Sequence, residues 1–300
     1  MQAYLNGRMV QLAKAKLSVE DAGFQHGVAL FTTMAVRHGR AFRLDRHLDR
    51  LLASAEELGL AMADDRKKLS RAVQRTIDTN DLTDARLRLT VSPGAVSLLR
   101  PQEGGKPAKP TVLIVAGEPT RYDPAYFNEG IMAIIAGPGA NPFDPLAGHK
   151  TNAYWSRLRT LRQAAAVKAG EAIWLQVSNH LAGGSISNIF LVRDGQLLTP
   201  IAHGEEVQGA LPAPVLPGIT RAAVLELADA ADLPVQKRML DVNDLLEADE
   251  VFLTNSGWGV LPVTRIEKKT IGTGKVGEIT TRLRTDLLAL MDRECGDAAS

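Results

Sequence analysis

Short apolar runs and helix-period stretches follow one another along the chain. Tyr4-Leu5 and Met9-Val10 flank Asn6-Gly7, a strong hairpin signal, and predict an opening β-hairpin. Phe31 to Val36 reads as a strand that turns at His38-Gly39 into Ala41-Phe42-Arg43-Leu44. Leu48, Leu51, Leu52, Ala55 and Leu58 then recur at helical spacing, with Asp45 placed to cap that helix and His47 and Arg50 near its start. A second helix is expected from about Asp65, carrying Leu69, Val73 and Ile77. Leu87, Leu89 and Val91 alternate with Arg86, Arg88 and Thr90 as a half-buried strand. From Ser92 to Pro110 the period is lost among prolines and glycines. A loop of that length is a candidate for a mobile cover over a substrate.

Apolar runs bounded by glycine and proline resume at Thr111 to Ala116 and at Gly130 to Ala136, and both read as buried strands. The domain boundary is expected between them, giving a smaller N-terminal α+β domain, 1–120, and a larger C-terminal domain, 121–300. After a loop from Gly137 to His149, a helix is predicted from Asn152 to about Ala169. Strands follow at Ala172-Leu175, Ile189-Val192 and Gln196-Leu198, then a helix from Arg221 to Ala231, a strand from Glu250 to Leu253 and a last helix from Val276 to Met291. The order of elements is that of an α+β protein, with no internal repeat.

The totals narrow the function. With 300 residues and 45% hydrophobic content the chain can bury one large or two modest cores. Its 35 basic and 34 acidic residues leave a formal charge of +1, so no strong field attracts nucleic acid or an anionic membrane, and small-molecule chemistry is favoured. No apolar run reaches the roughly 18 residues a membrane span needs. The single cysteine, Cys295, sits in a polar C-terminal stretch, where neither a disulfide nor a nucleophilic role is expected. These features point to a soluble cytoplasmic protein.

The candidate chemistry centres on Gly148-His149-Lys150-Thr151-Asn152-Ala153-Tyr154, a lysine set between a Pro/Gly-rich loop and a helical pattern. Most lysines are solvated surface groups, and spacing alone does not single this one out. Two other stretches change its standing. Leu216-Pro217-Gly218-Ile219-Thr220-Arg221 leads into an amphipathic helix whose first amides and dipole suit a phosphate, although the same residues also make an ordinary helix start. Thr254-Asn255-Ser256-Gly257 is an anion-binding turn or simply a turn. A phosphate-sized need together with one special lysine suggests pyridoxal phosphate held as a Schiff base. No Walker-type or dinucleotide fingerprint supports a nucleotide-binding module.

Further segments complete a pattern: Asp21-Ala22-Gly23-Phe24, Phe42-Arg43-Leu44-Asp45-Arg46-His47-Leu48-Asp49-Arg50-Leu51, Ser185-Ile186-Ser187-Asn188-Ile189-Phe190 and Ala248-Asp249-Glu250-Val251-Phe252. In this order, with the lysine stretch and the 216–221 motif, they resemble the class IV aminotransferase family, the pyridoxal-phosphate enzymes of fold type IV, along most of the chain. The resemblance implies two α+β domains with the cofactor in the interdomain cleft, and a homodimer. It implies that Lys150 holds the cofactor covalently and shuttles the substrate α-proton. Arg50 would pair with the phosphate, and the Ile219 and Thr220 amides and the Ser256 hydroxyl would complete that cup. Tyr154, one helical turn beyond the lysine, would lie by the ring.

One departure concerns the ring nitrogen. The family places a glutamate against it, five residues before the asparagine that corresponds to Asn188, and here that position is Gly183. A carboxylate there keeps the nitrogen protonated, so that the ring accepts electrons left at the α-carbon. Gly183→Glu is therefore expected to raise the rate of half-reactions, and a cofactor-binding protein with little turnover is one alternative. Phe31-Thr32-Thr33-Met34-Ala35 and Val91-Ser92-Pro93-Gly94 depart from the branched-chain and D-amino-acid types. Phe31-Thr32-Thr33, and Thr254-Asn255-Ser256 followed by Gly259-Val260-Leu261-Pro262, look more like the aminodeoxychorismate lyase branch. The resemblance thus implies 4-amino-4-deoxychorismate lyase, releasing pyruvate and 4-aminobenzoate for folate biosynthesis, with an amino-acid aminotransferase as the alternative.

Overall fold

A computed structural model describes residues 1–62, 64–95, 109–137 and 139–296. The chain forms two compact units. The first comprises Met1–Thr120, His149–Ala153 and the end of the last helix from Met291; the second comprises Arg121–Gly148 and Tyr154–Leu290. The stretch carrying Lys150 therefore groups with residues before 121 rather than with the segments that flank it in sequence.

In the first unit β1 (Gln2–Leu5) and β2 (Arg8–Gln11) form the expected hairpin. Asn6 and Gly7 take φ of 48° and 91°, the left-handed pair a two-residue turn of this hand requires. A single 3₁₀ turn at Leu12–Lys14 precedes α1 (Ala22–His26). β3 (Leu30–Arg37) and β4 (Arg40–Ala41) turn at His38-Gly39, and α2 (Leu44–Glu57), α3 (Arg66–Thr79), β5 (Ala85–Ser92) and β6 (Thr111–Gly117) follow. The six strands lie in the order β2-β1-β6-β5-β3-β4, every pair antiparallel. Met34, Leu87, Leu89 and Ile114 from the sheet meet Leu48, Leu51 and Ala55 of α2 and Leu69, Val73 and Ile77 of α3 in one core.

Asp65 caps α3, accepting from the Lys68 amide at 2.8 Å, as its place in the sequence suggests. Asp45 does not cap α2. That helix starts one residue earlier, at Leu44, with Arg43 in the left-handed region at φ 51° as its cap residue. Asp45 then lies in the first turn, where its charge complements the helix dipole. The buried Asp21 carboxylate accepts from Ser92 Oγ (2.8 Å), Thr111 Oγ1 (2.6 Å) and the Gly23 amide (2.8 Å). It ties the end of β5 and the start of β6 to α1. Most of the expected cover loop, residues 96–108, lies outside the described residues.

The second unit contains α4 (Ala125–Asn128), β7 (Ile131–Ile135), α5 (Trp155–Ala166), β8 (Glu171–Leu175), β9 (Leu181–Gly184), β10 (Asn188–Arg193) and β11 (Gln196–Thr199). It continues with α6 (Ile219–Ala230), β12 (Val235–Lys237), α7 (Val242–Leu246), β13 (Glu250–Asn255), β14 (Gly259–Ile266), β15 (Lys269–Thr270) and α8 (Glu278–Gly296). Its strands run β12-β11-β10-β13-β14-β7-β8-β9, with β15 on β14, and are parallel only at β11/β12, β14/β7 and β7/β8. Phe190 and Phe252 stack at 5.0 Å across β10 and β13. α5 begins at Trp155, not Asn152, because residues 150–152 run extended beside β3. Cys295 is buried on α8 rather than lying in a polar tail, and burial raises its thiol pKa, so a nucleophilic role remains unsupported. No helix among the described residues is long and apolar enough to cross a membrane.

A buried ion cluster fixes the start of α6. Arg221, 2% exposed, donates to Glu205 Oε1 (2.9 Å) and Oε2 (2.8 Å), to Thr199 Oγ1 and to the Pro200 carbonyl, and Lys237 also reaches Glu205. Burial alone would raise the Glu205 carboxyl, but the hydrogen bonds from Arg221 and Lys237 outweigh it and hold the group at about 2. A depressed carboxyl contributes stability above its unfolded pKa of 4.5 and loses it as pH falls toward 2. Glu205→Gln is expected to cost about 2–4 kcal/mol at neutral pH, because it leaves the Arg221 charge buried without its partner. The gap from wild type in denaturant melts should close as pH is lowered through that window, and a gap independent of pH would contradict the assignment.

Candidate active site

In the first unit Lys150 is held by strand-like pairing with the entrance to β3. The Phe31 amide donates to the Lys150 carbonyl at 2.9 Å, and the Asn152 amide donates to the Ala29 carbonyl at 2.9 Å. The side chain of the lysine lies over the Phe31 ring, with Nζ 4.7 Å from its centroid. Arg88, projecting from the polar side of β5, sets its guanidinium 3.5 Å from the same ring and donates to Asn152 Oδ1 at 2.9 Å. One aromatic ring thus carries two cations.

Arg50 comes from α2, one turn after His47, and its Nη2 donates to Thr32 Oγ1 at 3.2 Å. Thr32 is buried and lies 2.6 Å from His47 Nδ1. Its oxygen accepts from Arg50, and the hydroxyl also bonds the imidazole. Burial first, then the charges of Arg50 and Lys150, lower the His47 pKa well below the ordinary value, so the imidazole is neutral. Thr32 and His47 therefore form a buried support for Arg50.

In the second unit the start of α6 is buried and uncapped. Gly218 is the cap residue and offers no side chain, while Ile219 and Thr220 are 9% and 6% exposed. The Asn188 amide donates to the Leu216 carbonyl at 2.8 Å, and any side chain at position 218 would run into it. Thr254 pairs with Asn188 across β13 and β10, so both point to the same face of the sheet. Its hydroxyl is buried and has no hydrogen-bond partner among the described residues. Ser256 follows in a turn shaped by Asn255 Oδ1, which accepts from the Gly257 and Trp258 amides at 2.8 and 3.0 Å. Uncapped buried amides, a helix dipole and the Thr254 hydroxyl on β13 suit a small oxyanion such as a phosphate.

Tyr154 is not a helical turn beyond the lysine but is the cap residue of α5. Gly183 sits on β9 at φ 123°, and a Cβ there would lie 2.8 Å from the Ser187 carbonyl oxygen. Gly183→Glu is thus a strained change, and the proposed rescue by a carboxylate at this position does not follow. The nearby Glu171 is fully buried and accepts from the amides of Ala172, Ser185 and Ile186 and from Ser187 Oγ. Burial raises its pKa, against those hydrogen bonds.

Within the first unit the fold gathers Lys150 and Arg50 about Phe31, Thr32 and His47. In the second, Asn188 meets the segment that opens α6 at Leu216 and Gly218, and pairs with Thr254 across the sheet. Sequence reasoning missed Arg88, which read as one polar position in an alternating strand. It also missed Glu171, whose only signal was an acidic residue opening the apolar run Ala172-Ile173-Trp174.

The family described as amino-transferase class IV matches residues 29–266. A provisionally named branched-chain-amino-acid aminotransferase of Methanocaldococcus jannaschii is 32% identical over 286 residues, covering 95% of this chain and 94% of its own. A D-alanine aminotransferase of Bacillus licheniformis is 27% identical over 292 residues, covering 96% of each. Among solved structures, the Escherichia coli branched-chain amino acid aminotransferase aligns with a TM-score of 0.88 at 27% identity, over 100% of this chain and 97% of that one. The 4-amino-4-deoxychorismate lyase of Pseudomonas aeruginosa aligns with a TM-score of 0.81 at 28% identity, over 96% and 98%. With a lysine seated on β3, a phosphate-suited helix start and these matches along its length, the chain belongs to the class IV aminotransferase family and has its fold type IV architecture.

Proposed function

We propose that the chain transfers the amino group of an α-amino acid to a 2-oxo acid, with pyridoxal 5′-phosphate as its cofactor. The observation that carries this reading is the seating of Lys150 against Phe31, beside Arg50 and Arg88. Lys150 would hold the cofactor through Nζ, and the same atom would take and return the α-proton of the substrate. Arg50 pairs with the phosphate, its orientation kept by Thr32 and His47. The amides of Ile219 and Thr220 and the Ser256 hydroxyl also donate to the phosphate, and Tyr154 lies by the ring. When bound, the cofactor supplies the electron sink that makes the α-proton removable.

Arg88 supplies the substrate preference in this reading. Its guanidinium is exposed, stacked on the ring that also carries Lys150, and oriented by Asn152, so an acidic substrate group meets a planar donor there. A dicarboxylic amino acid or 2-oxo acid is the favoured partner. The lyase is the second reading, favoured by the Pseudomonas aeruginosa structure and by the carboxylates its substrate carries. It is weakened because Thr32, one of the residues that suggested it, is occupied by Arg50 and His47. A homodimer belongs to the same reading, supported by Leu12, Leu17, Val19 and Phe24, large apolar side chains exposed at the N-terminal end of the first unit.

Two experiments decide these points. Borohydride reduction of the loaded protein should leave a phosphopyridoxyl mass on the peptide containing Lys150 and none in Lys150→Ala; a label on another lysine would contradict the assignment. In assays pairing amino acids with 2-oxo acids, run beside pyruvate release from aminodeoxychorismate, Arg88→Gln should raise KM for dicarboxylic partners by about ten- to a hundredfold, the worth of a charged hydrogen bond of about 1.5–3 kcal/mol. Monocarboxylic partners should be little changed. An equal loss for both classes would remove Arg88 from substrate recognition, and pyruvate release without amino-group transfer would select the lyase.

A further inference from the structure

The face of β9 that Gly183 leaves bare holds an arginine. Gly183 is paired with Trp174 of β8, so the two positions share one face of the sheet. Arg157, in the first turn of α5, lies on that face with its guanidinium 5.1 Å from the Trp174 ring and 6.0 Å from the Tyr154 ring. Its Nη1 donates to the carbonyls of Gly184 at 3.3 Å and Ser185 at 2.9 Å. Those two bonds anchor one nitrogen. Nε and Nη2, the edge of the guanidinium that suits a further acceptor, bond no described residue, and no carboxylate among the described residues pairs with it. The group is half-buried, so its place is fixed by Trp174 and the turn carbonyls rather than by solvent.

Glu171 does not fill the gap. It precedes Ile173 by two residues on β8, and Ile173 pairs with Gly184, so its side chain belongs to the opposite face from Trp174 and Gly183. Its two oxygens are also spent on three amides and the Ser187 hydroxyl. The end of the site where a carboxylate would have met the ring is therefore furnished with a cation.

We propose that Arg157 donates to the ring nitrogen of the bound pyridoxal phosphate and keeps that nitrogen unprotonated. The inference rests on the pyridoxal-phosphate reading above and on Gly183 standing at the carboxylate's position. A pyridine nitrogen has one lone pair, which accepts either a proton or a hydrogen bond. A guanidinium only donates and does not surrender its proton at any ordinary pH, while its charge opposes a second positive charge alongside it. The ring is then a weaker electron sink than one held by a carboxylate. Such a site suits reactions in which Lys150 takes and returns the α-proton in quick succession, leaving little time for charge to accumulate on the ring.

The test uses holoprotein loaded with cofactor labelled with ¹⁵N at the ring nitrogen, observed by NMR, with the borohydride and peptide-mass assay run on the same sample. The expected wild-type resonance is that of an unprotonated pyridine, unmoved across the neutral pH range. In Arg157→Met it should shift toward the protonated position as pH falls. A protonated resonance in the wild type, or one identical in Arg157→Met at every pH, would overturn the inference while a Lys150 adduct left the cofactor reading intact. Absence of the Lys150 adduct would overturn both. The wild-type spectrum decides by itself if the variant does not fold.

Discussion

Two backbone hydrogen bonds, from the Phe31 amide to the Lys150 carbonyl and from the Asn152 amide to the Ala29 carbonyl, carry more of this account than any side-chain contact. They hold a short extended stretch against β3, pull the lysine out of the helical pattern that follows it in sequence, and delay α5 until Trp155. A lysine on a helix surface has four rotatable bonds and water around it. A lysine whose backbone is part of a strand pairing, and whose stem lies along Phe31, has a restricted reach. The neighbouring positions are fixed by the same sheet: Thr32 next along β3, Arg88 across on β5, and α2 packed beneath with His47 and Arg50.

The network beneath Arg50 shows how burial and charge combine. His47 is fully buried beside two cations, and both influences favour the neutral imidazole. The neutral imidazole lies 2.6 Å from the Thr32 hydroxyl, whose oxygen also accepts from Arg50. Arg221 is held differently, its charge matched by Glu205 within the second unit.

Much of the architecture was legible because its elements carry strong local signals. Asn6-Gly7 fixes the first hairpin, Asp65 begins α3, and the alternation from Arg86 to Val91 marks β5. What failed was local geometry decided by distant partners. Nothing in Lys150-Thr151-Asn152 announces pairing with β3, so the helix was placed too early and Tyr154 a turn too deep. β9, four residues with two glycines, has too little pattern to register as a strand. Lys150, Arg50, Ile219, Thr220 and Ser256 lie in stretches that resemble family motifs, which makes them candidates. Arg88 and Arg157 do not stand out, because an arginine on a strand or helix is ordinary until the aromatic ring beneath it is known. In sequence Gly183 is a simple loss, whereas its backbone conformation disfavours the missing side chain.

The account is tested most directly by a crystal structure of the protein grown with pyridoxal phosphate. It predicts unbroken density from Lys150 Nζ into the cofactor, with the Phe31 amide still bonded to the Lys150 carbonyl. Cofactor density that ends short of Lys150, or a lysine released from β3 and turned to solvent, would contradict it.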